Sequence, residues 1–317
     1  MGSNLSCWAC RLSRAFIAMF CVAMFTPPFA YSNQTESEGT KPGTEVIEAS
    51  DVIAASSALP RVVSINICAD QWLMLLAEPV QIAALSNLSR DEHGSYFHRE
   101  AQHYPQAEPT AENLLALQPD IVITGPYTSR HTLSLLGELG ISVETLPVAN
   151  SFEDMLSNAE LVGRLLRRDD QAAAIVRSVR GRLQQLKIKA DGLRKTGVNA
   201  RIAVYDANGY TVGRQTIRGE AIEFGGWHNI ASEVNIQNYG VLGLEQLLWL
   251  SPQAFLASPY SSDTYSRAQY LSQHPAIRQS GLNPEVVNVP STLTLCAGPW
   301  TVDVVEQLIE AHPAGRR

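Results

Sequence analysis

The sequence predicts an α/β protein made of two Rossmann-like lobes joined by a single long helix. Three observations carry that expectation. Short β-branched runs alternate with helical runs on both sides of the chain's middle, the pattern of parallel βα units. Between the two halves, Ala172, Ile175, Val176, Val179, Leu183 and Leu186 recur at three- and four-residue steps, which marks one apolar face of a helix. A ten-residue segment from Ala111 to Asp120 also lines up with one from Leu244 to Gln253, each with a Leu-rich helix and then a proline, and each followed by an apolar strand.

The first thirty residues read as an export signal rather than as fold. Arg11 and Arg14 precede an apolar run from Ala15 to Phe25, then Thr26, Pro27, Pro28, Phe29 and Ala30, the order of a secretory signal with cleavage after Ala30. About eleven apolar residues are too few to span a bilayer; an uncleaved membrane anchor is the alternative. Residues 31–59 are rich in Ser, Thr, Glu, Ala and Gly and read as a flexible linker. Three of the five cysteines, Cys7, Cys10 and Cys21, fall in the signal region, leaving Cys68 and Cys296 to the mature chain. In an oxidising compartment those two either bridge or remain separate thiols; a bridge would contribute roughly 5 kcal/mol in the chain-entropy picture.

An N-terminal lobe is expected over residues 60–168. Its strands are Arg61 to Asn66, Ile82 to Leu85, Ile121 to Thr124 and Ser142 to Leu146, with helices at Ala69 to Ala77, Ala111 to Leu117 and Leu133 to Leu139. The stretch from Ser86 to Pro105 is polar and turn-rich. An interlobe helix follows over residues 169–196. Asp169 and Asp170 suit the positive end of its dipole, Lys187, Lys189, Arg194 and Lys195 its negative end, and Gly192 and Gly197 offer stops. At 1.5 Å per residue it would be roughly 40 Å long. The pattern then restarts in a C-terminal lobe, residues 197–312. Strands are expected at Arg201 to Tyr205, Ala254 to Ala257 and Val286 to Val289. Helices are expected at Arg218 to Phe224, Leu244 to Leu250, partly over Leu271 to Ile277, and at Val302 to His312.

Composition is that of an ordinary globular chain, 45% hydrophobic and 17% charged, and a formal charge of -7 argues against nucleic acid as a partner. No catalytic signature is present: no Gly-x-Ser-x-Gly elbow, phosphate loop, Gly-x-Gly-x-x-Gly or His-Glu-x-x-His. His93, His98 and His103 recur every five residues, which fits neither a helix face nor zinc-ligand spacing. The loops carry rings and cations instead. Tyr127, Tyr210, Trp227, Tyr239, Tyr260 and Trp300 stand near strand ends or loop tips, and either pack beneath loops or line a cleft for a large flat ligand. Arg90, Arg130 and Arg214 would supply charge-assisted bonds to an anionic ligand group.

Four stretches carry a family resemblance: Asn66-Ile67-Cys68-Ala69-Asp70-Gln71, the Glu112 to Thr124 segment, the Val204 to Gly213 loop with Asn208-Gly209-Tyr210, and Cys296-Ala297-Gly298-Pro299-Trp300-Thr301. Over about residues 60–312 the chain resembles the periplasmic binding proteins for cobalamin and iron–siderophore complexes, which serve ABC importers. The resemblance implies a ligand cleft between the lobes with modest closure. It also implies a glutamate on each lobe that docks onto permease arginines, at Glu112 and Glu245 here, the paired residues of the internal repeat; two solvated helix-start glutamates are the plain alternative. The ligand-facing positions it implies fall at Asn66, Cys68, Tyr127, Asn208, Tyr210, Trp227 and the Cys296 to Trp300 loop, and the reading of the loops adds Arg90 and Tyr239. With both cysteines on such loops, three readings stay open: a bridge near the cleft, which is preferred, two free thiols, or soft ligands to a metal.

The expected function is therefore that of a monomeric periplasmic solute-binding protein, not an enzyme, with no cofactor or resident metal. It would capture a corrinoid and deliver it to an ABC importer's permease dimer. A ferric siderophore or haem on the same fold is the first rival, ahead of an exported enzyme or a bare-metal binding protein.

Overall fold

A computed structural model of the chain describes residues 59–258 and 274–316. The expected signal, most of the linker, Tyr260 and the start of the helix expected from Leu271 lie outside these residues. In chain order the N-terminal half forms β1 (Val62–Ser64), α1 (Ile67–Leu76), β2 (Ile82–Ser86), β3 (Gln106–Ala107), α2 (Ala111–Ala116), β4 (Ile121–Thr124), α3 (Arg130–Glu138), β5 (Ser142–Thr145) and α4 (Phe152–Leu166). The long helix is α5 (Asp169–Lys195). After it come β6 (Arg201–Val204), β7 (Tyr210–Val212), α6 (Ile217–Phe224), β8 (His228–Asn229), β9 (Tyr239–Val241), α7 (Leu244–Leu250), β10 (Ala254–Ala257), α8 (Pro275–Gln279), β11 (Glu285–Asn288) and α9 (Val302–Ala311).

Each half is a parallel sheet with helices on it. The N-terminal sheet runs β3-β2-β1-β4-β5 and the C-terminal sheet β11-β10-β6-β8, with all pairings parallel. The central strands explain themselves: β1 and β2 are buried throughout, and short continuous apolar runs of this kind suit a sheet covered on both faces.

The internal repeat is reproduced down to single hydrogen bonds. Gln118 and Ser251 occupy matching positions just before the two prolines, and both have left-handed backbone, φ 48° and 49°. Asp120 N–H donates to the Arg61 carbonyl at 2.8 Å, and Gln253 N–H to the Arg201 carbonyl at 2.9 Å. The Arg61 side chain donates to the Leu117 carbonyl at 3.1 Å, and the Arg201 side chain to that of Leu250 at 2.7 Å. In each lobe one arginine at the start of the first strand thus clamps the end of the equivalent helix. The repeat gives the protein two copies of one local device, one on each lobe.

Helix α5 starts at Asp169 and ends at Lys195, one residue before the end of the 169–196 span expected, and Gly197 beyond it has φ 75°, a conformation that costs glycine little. Its buried stripe is Ala172, Val176, Val179, Leu183, Leu186 and Ala190. Fully burying a Val or Leu contributes roughly 1.5–3 kcal/mol, so this stripe holds the helix more than its intrinsic propensity does. The helix packs on α4 of the first lobe and on α6 and α9 of the second. Contact with α4 is close: a Cβ at Gly163 would come within 2.5 Å of the Ala172 methyl. On the other lobe Arg182 reaches both Asp303, at 2.8 Å, and Glu306, at 3.1 Å.

Helix α4, the short strands β3 and β8, and the β7–β9 pair go beyond the sequence expectation. Helix α4 occupies residues read only as part of the first lobe; the Ser151 hydroxyl caps it by accepting from Asp154 N–H at 3.0 Å, and Arg167 with φ 57° turns the chain into α5. Strands β7 and β9 pair antiparallel as a separate ribbon with Tyr210 opposite Val241 and Val212 opposite Tyr239.

Candidate functional site

Both sheets end at one cleft. On the first lobe, the chain leaves β1 at Ser64 and Asn66 caps α1, its Oδ1 accepting from Cys68 and Ala69 N–H, both at 3.0 Å. Glycine at residue 125, just after β4, leaves room for the Asn66 amide, which a Cβ there would approach to 2.3 Å and displace. One residue further on, Pro126 leads to Tyr127, which is 92% exposed and projects at the cleft rim. Leu146, Pro147, Val148 and Ala149, after β5, form an apolar side wall, and Asn158 of α4 supports it by donating to the Pro147 carbonyl at 2.9 Å.

The second lobe contributes the polar wall. Thr216 caps α6, accepting from Gly219 N–H at 3.1 Å and donating to the Gly213 carbonyl at 2.8 Å. This presses the start of α6 onto the loop after β7, so closely that Gly219 has no room for a side chain. Arg218, on that first turn, thereby meets Asp206 at the end of β6 at 2.8 Å. Tyr210 and Tyr239 stack across the β7–β9 ribbon with ring centroids 6.0 Å apart, and burial pushes the Tyr210 phenol above its ordinary pKa. Ser258 and Thr294 hydroxyls, 2.6 Å apart, complete this side.

At the floor the lobes meet covalently. Cys68 and Cys296 form a disulfide with Cα atoms 5.2 Å apart, and both line the cleft. Beneath it Trp300 folds back over Gly298, its indole donating to the Cys296 carbonyl at 2.9 Å. The cleft measures about 520 Å³, within the range of small-molecule sites. Among the described residues lining it, Arg218 and Asp206 are the charged ones, and they face each other.

Of the nine residues expected to face ligand, Asn66, Cys68, Tyr127, Tyr210 and Tyr239 line the cleft. Four do not. Trp227 is 2% exposed, its indole donating to the Leu308 carbonyl at 2.7 Å, so it is a core residue of the second lobe. Trp300 is likewise buried under the disulfide. The Arg90 guanidinium donates to the Ala101 and Tyr104 carbonyls and ties down its own loop. Asn208 is exposed, with φ 58°, and shapes the turn into β7 instead of forming a wall. Arg130 and Arg214 lie outside the walls as well, Arg214 donating to Gln237 at 2.9 Å. Sequence reasoning missed Arg218 and Asn158. An arginine two residues after a capping threonine was the one available signal for Arg218. Among the described residues no cluster of three or more His, Cys, Asp or Glu is placed to hold a metal ion.

Glu112 and Glu245 are the second residues of α2 and α7, both exposed, and neither forms an ion pair among the described residues. No described helix is long and apolar enough to cross a membrane.

A family model described as periplasmic binding protein matches residues 62–280. A cobalamin-binding protein of Halobacterium salinarum is 26% identical over 238 residues, 71% of this chain and 62% of its own length, so the match spans less than two thirds of that relative. The crystal structure of a periplasmic haem-binding protein from Pseudomonas aeruginosa superimposes with a TM-score of 0.63 at 22% identity, covering 80% of this chain and 93% of the other. The periplasmic vitamin B12-binding protein of Vibrio cholerae gives 0.60 at 17% identity, covering 82% and 98%. These structural likenesses establish the two-lobe fold.

Proposed function

The chain belongs to the periplasmic binding protein family, and from that premise we propose that it captures a corrinoid and hands it to an ABC importer. The observation that carries the ligand choice is the charge state of the cleft. Its lining arginine, Arg218, is already paired with Asp206, so among the described residues the cavity offers no uncompensated positive charge. An anionic ferric chelate or the carboxylates of haem would leave their charge unanswered there, at a desolvation cost. A large ligand rich in amides and apolar edges instead meets rings at Tyr127, Tyr210 and Tyr239, amides at Asn66 and Asn158, and an apolar wall from Leu146 to Ala149. The relative that binds cobalamin agrees with this choice.

The protein acts without chemistry of its own, as a monomer in the periplasm. Glu112 and Glu245 are its contacts to the permease dimer. Titration of the mature protein with cyanocobalamin, haemin and ferric siderophores, followed by tryptophan fluorescence, tests the ligand choice, since Trp72 packs with Trp300 directly beneath the cleft floor. Saturable binding of cyanocobalamin in preference to the others is expected. Tight binding of haemin or a siderophore with no corrinoid response would overturn it.

A further inference from the structure

We propose that the Cys68–Cys296 disulfide is a positioning element of the ligand cleft: a covalent strap that joins the lobes at the cleft floor and holds the cavity at its ligand-ready width. This rests on the reading of the cleft as the ligand site.

The topology makes the bridge an interlobe one. Cys68 lies in the first turn of α1, directly after β1 of the N-terminal sheet, whereas Cys296 lies between β11 of the C-terminal sheet and α9. Among the described residues the chain itself passes from one lobe to the other through α5. A single helical connection leaves two bodies free to swing and twist about it to the extent that the helix bends. A second covalent tether, 228 residues away in sequence, removes most of that freedom, because any opening must pivot on the bridge.

The position of the bridge links this restraint to binding. Both sulfur-bearing residues line the cavity, with Asn66 and Trp72 beside Cys68 and Leu295 and Ala297 beside Cys296. A change in their separation is a change in cleft width. The seam below is aromatic and crosses the lobes in the same place. Trp300 stacks on Tyr96 at 4.8 Å, meets Phe97 edge-on at 5.5 Å and lies 6.2 Å from Trp72. Ser291 adds a polar stitch by donating to the His93 carbonyl. Rings alone can slide; a bond between their two backbones fixes their register. A cleft held this way meets its ligand preorganised, and the ordering cost of binding is met during folding.

The test compares oxidised protein, the same protein reduced with a phosphine and checked by mass, and C68A/C296A. Two readouts are needed. The first is independent of any ligand: the distance distribution between spectroscopic labels carried by non-cysteine residues at exposed Glu138 on α3 and Glu310 on α9, with hydrogen exchange of residues 66–72 and 296–301. The second is cyanocobalamin binding kinetics. Breaking the bridge should broaden the distance distribution, speed exchange in both segments, and weaken binding by tenfold or more, mainly through a slower association rate. An unchanged distance distribution in fully reduced protein would overturn the strap. Broadened distances with unchanged affinity and association rate would overturn its positioning role. Should no form bind cyanocobalamin while reduction still frees the lobes, the corrinoid reading fails and the strap stands. Reduced wild-type protein supplies the answer if the double variant does not fold.

Discussion

Asp70 is enclosed completely in the first lobe, where it accepts from Ser86 N–H at 3.0 Å and from the Ser86 hydroxyl at 2.5 Å. Burial outweighs these bonds and pushes its carboxyl up to about 7. The sign of the consequence follows from proton counting. Between about pH 4 and pH 7 the folded protein keeps a proton that the unfolded chain has released, so stability falls as pH rises through that window and is level above it. The slope from this group is at most about 1.4 kcal/mol per pH unit. Asp70→Asn removes the titration and keeps the bond from Ser86 N–H to Oδ1, while the Ser86 hydroxyl turns to accept from the new amide nitrogen. Thermal melts from pH 4 to 8 should show the variant gaining on wild type with rising pH; parallel curves would show that Asp70 ionises freely. Asp206 allows a second prediction. Asp206→Asn leaves Arg218 unpaired in the cleft, so haemin affinity should rise several-fold while cyanocobalamin affinity changes by less than about twofold, read by the same fluorescence titration. These residues also show where sequence stops informing. Tyr127 and Trp227 look alike on paper, each an aromatic near a strand end. Only the fold reveals that the Trp227 indole has the Leu308 carbonyl to bond with, 81 residues away, and Tyr127 has solvent.

Elements with a long period or a repeated pattern were the legible ones. Helix α5 announces itself over 27 residues, and the α2 and α7 segments announce each other. The β7–β9 ribbon has three-residue strands whose pairing is set by contacts outside the ribbon, such as Gly213 N–H donating to the Asn238 carbonyl, and no local pattern encodes that. Helix α4 did carry a start signal, Ser151 followed by Glu153 and Asp154, but it abuts α5 so closely that the stronger periodicity hid it. The repeat has an energetic corollary. Gln118 and Ser251 hold left-handed backbone that disfavours a side chain by roughly 1–2 kcal/mol, partly offset by the extra unfolded-state freedom of glycine. Ser251→Gly should therefore raise stability by about 0.5–1 kcal/mol, seen as a higher melting temperature. A lower Tm would mean that the Ser251 hydroxyl, which donates to the Leu248 carbonyl at 2.8 Å, matters more than the backbone.

Among the described residues the two similar lobes are tied covalently at two places, along α5 and at the cleft floor, and Phe152 of α4 adds a contact with Glu220 and Phe224 of α6. The second tie closes a loop of 228 residues, for which chain entropy gives up to roughly 5 kcal/mol. Reduction should lower the melting temperature by about 10 °C for a chain of this size, and a shift under 2 °C would show that the reduced unfolded state is already compact. The same rigidity bears on delivery. Glu112 and Glu245 sit at matching places on matching helices, one carboxylate on each lobe, and under the proposed docking role a frame that resists opening would keep their separation constant whether or not ligand is bound. Two-point docking of that kind gains from effective concentration: once one carboxylate engages, the second does so intramolecularly, provided the spacing is right. Either glutamate replaced alone by glutamine should reduce uptake in cells partially and to a similar degree. Replacing both should abolish it, while cyanocobalamin affinity stays within about twofold, because neither side chain lines the cleft. Full uptake by the double variant would remove these residues from docking. A large loss from one single variant beside none from the other would show that the permease reads one lobe, and the fixed spacing would then have no part in delivery.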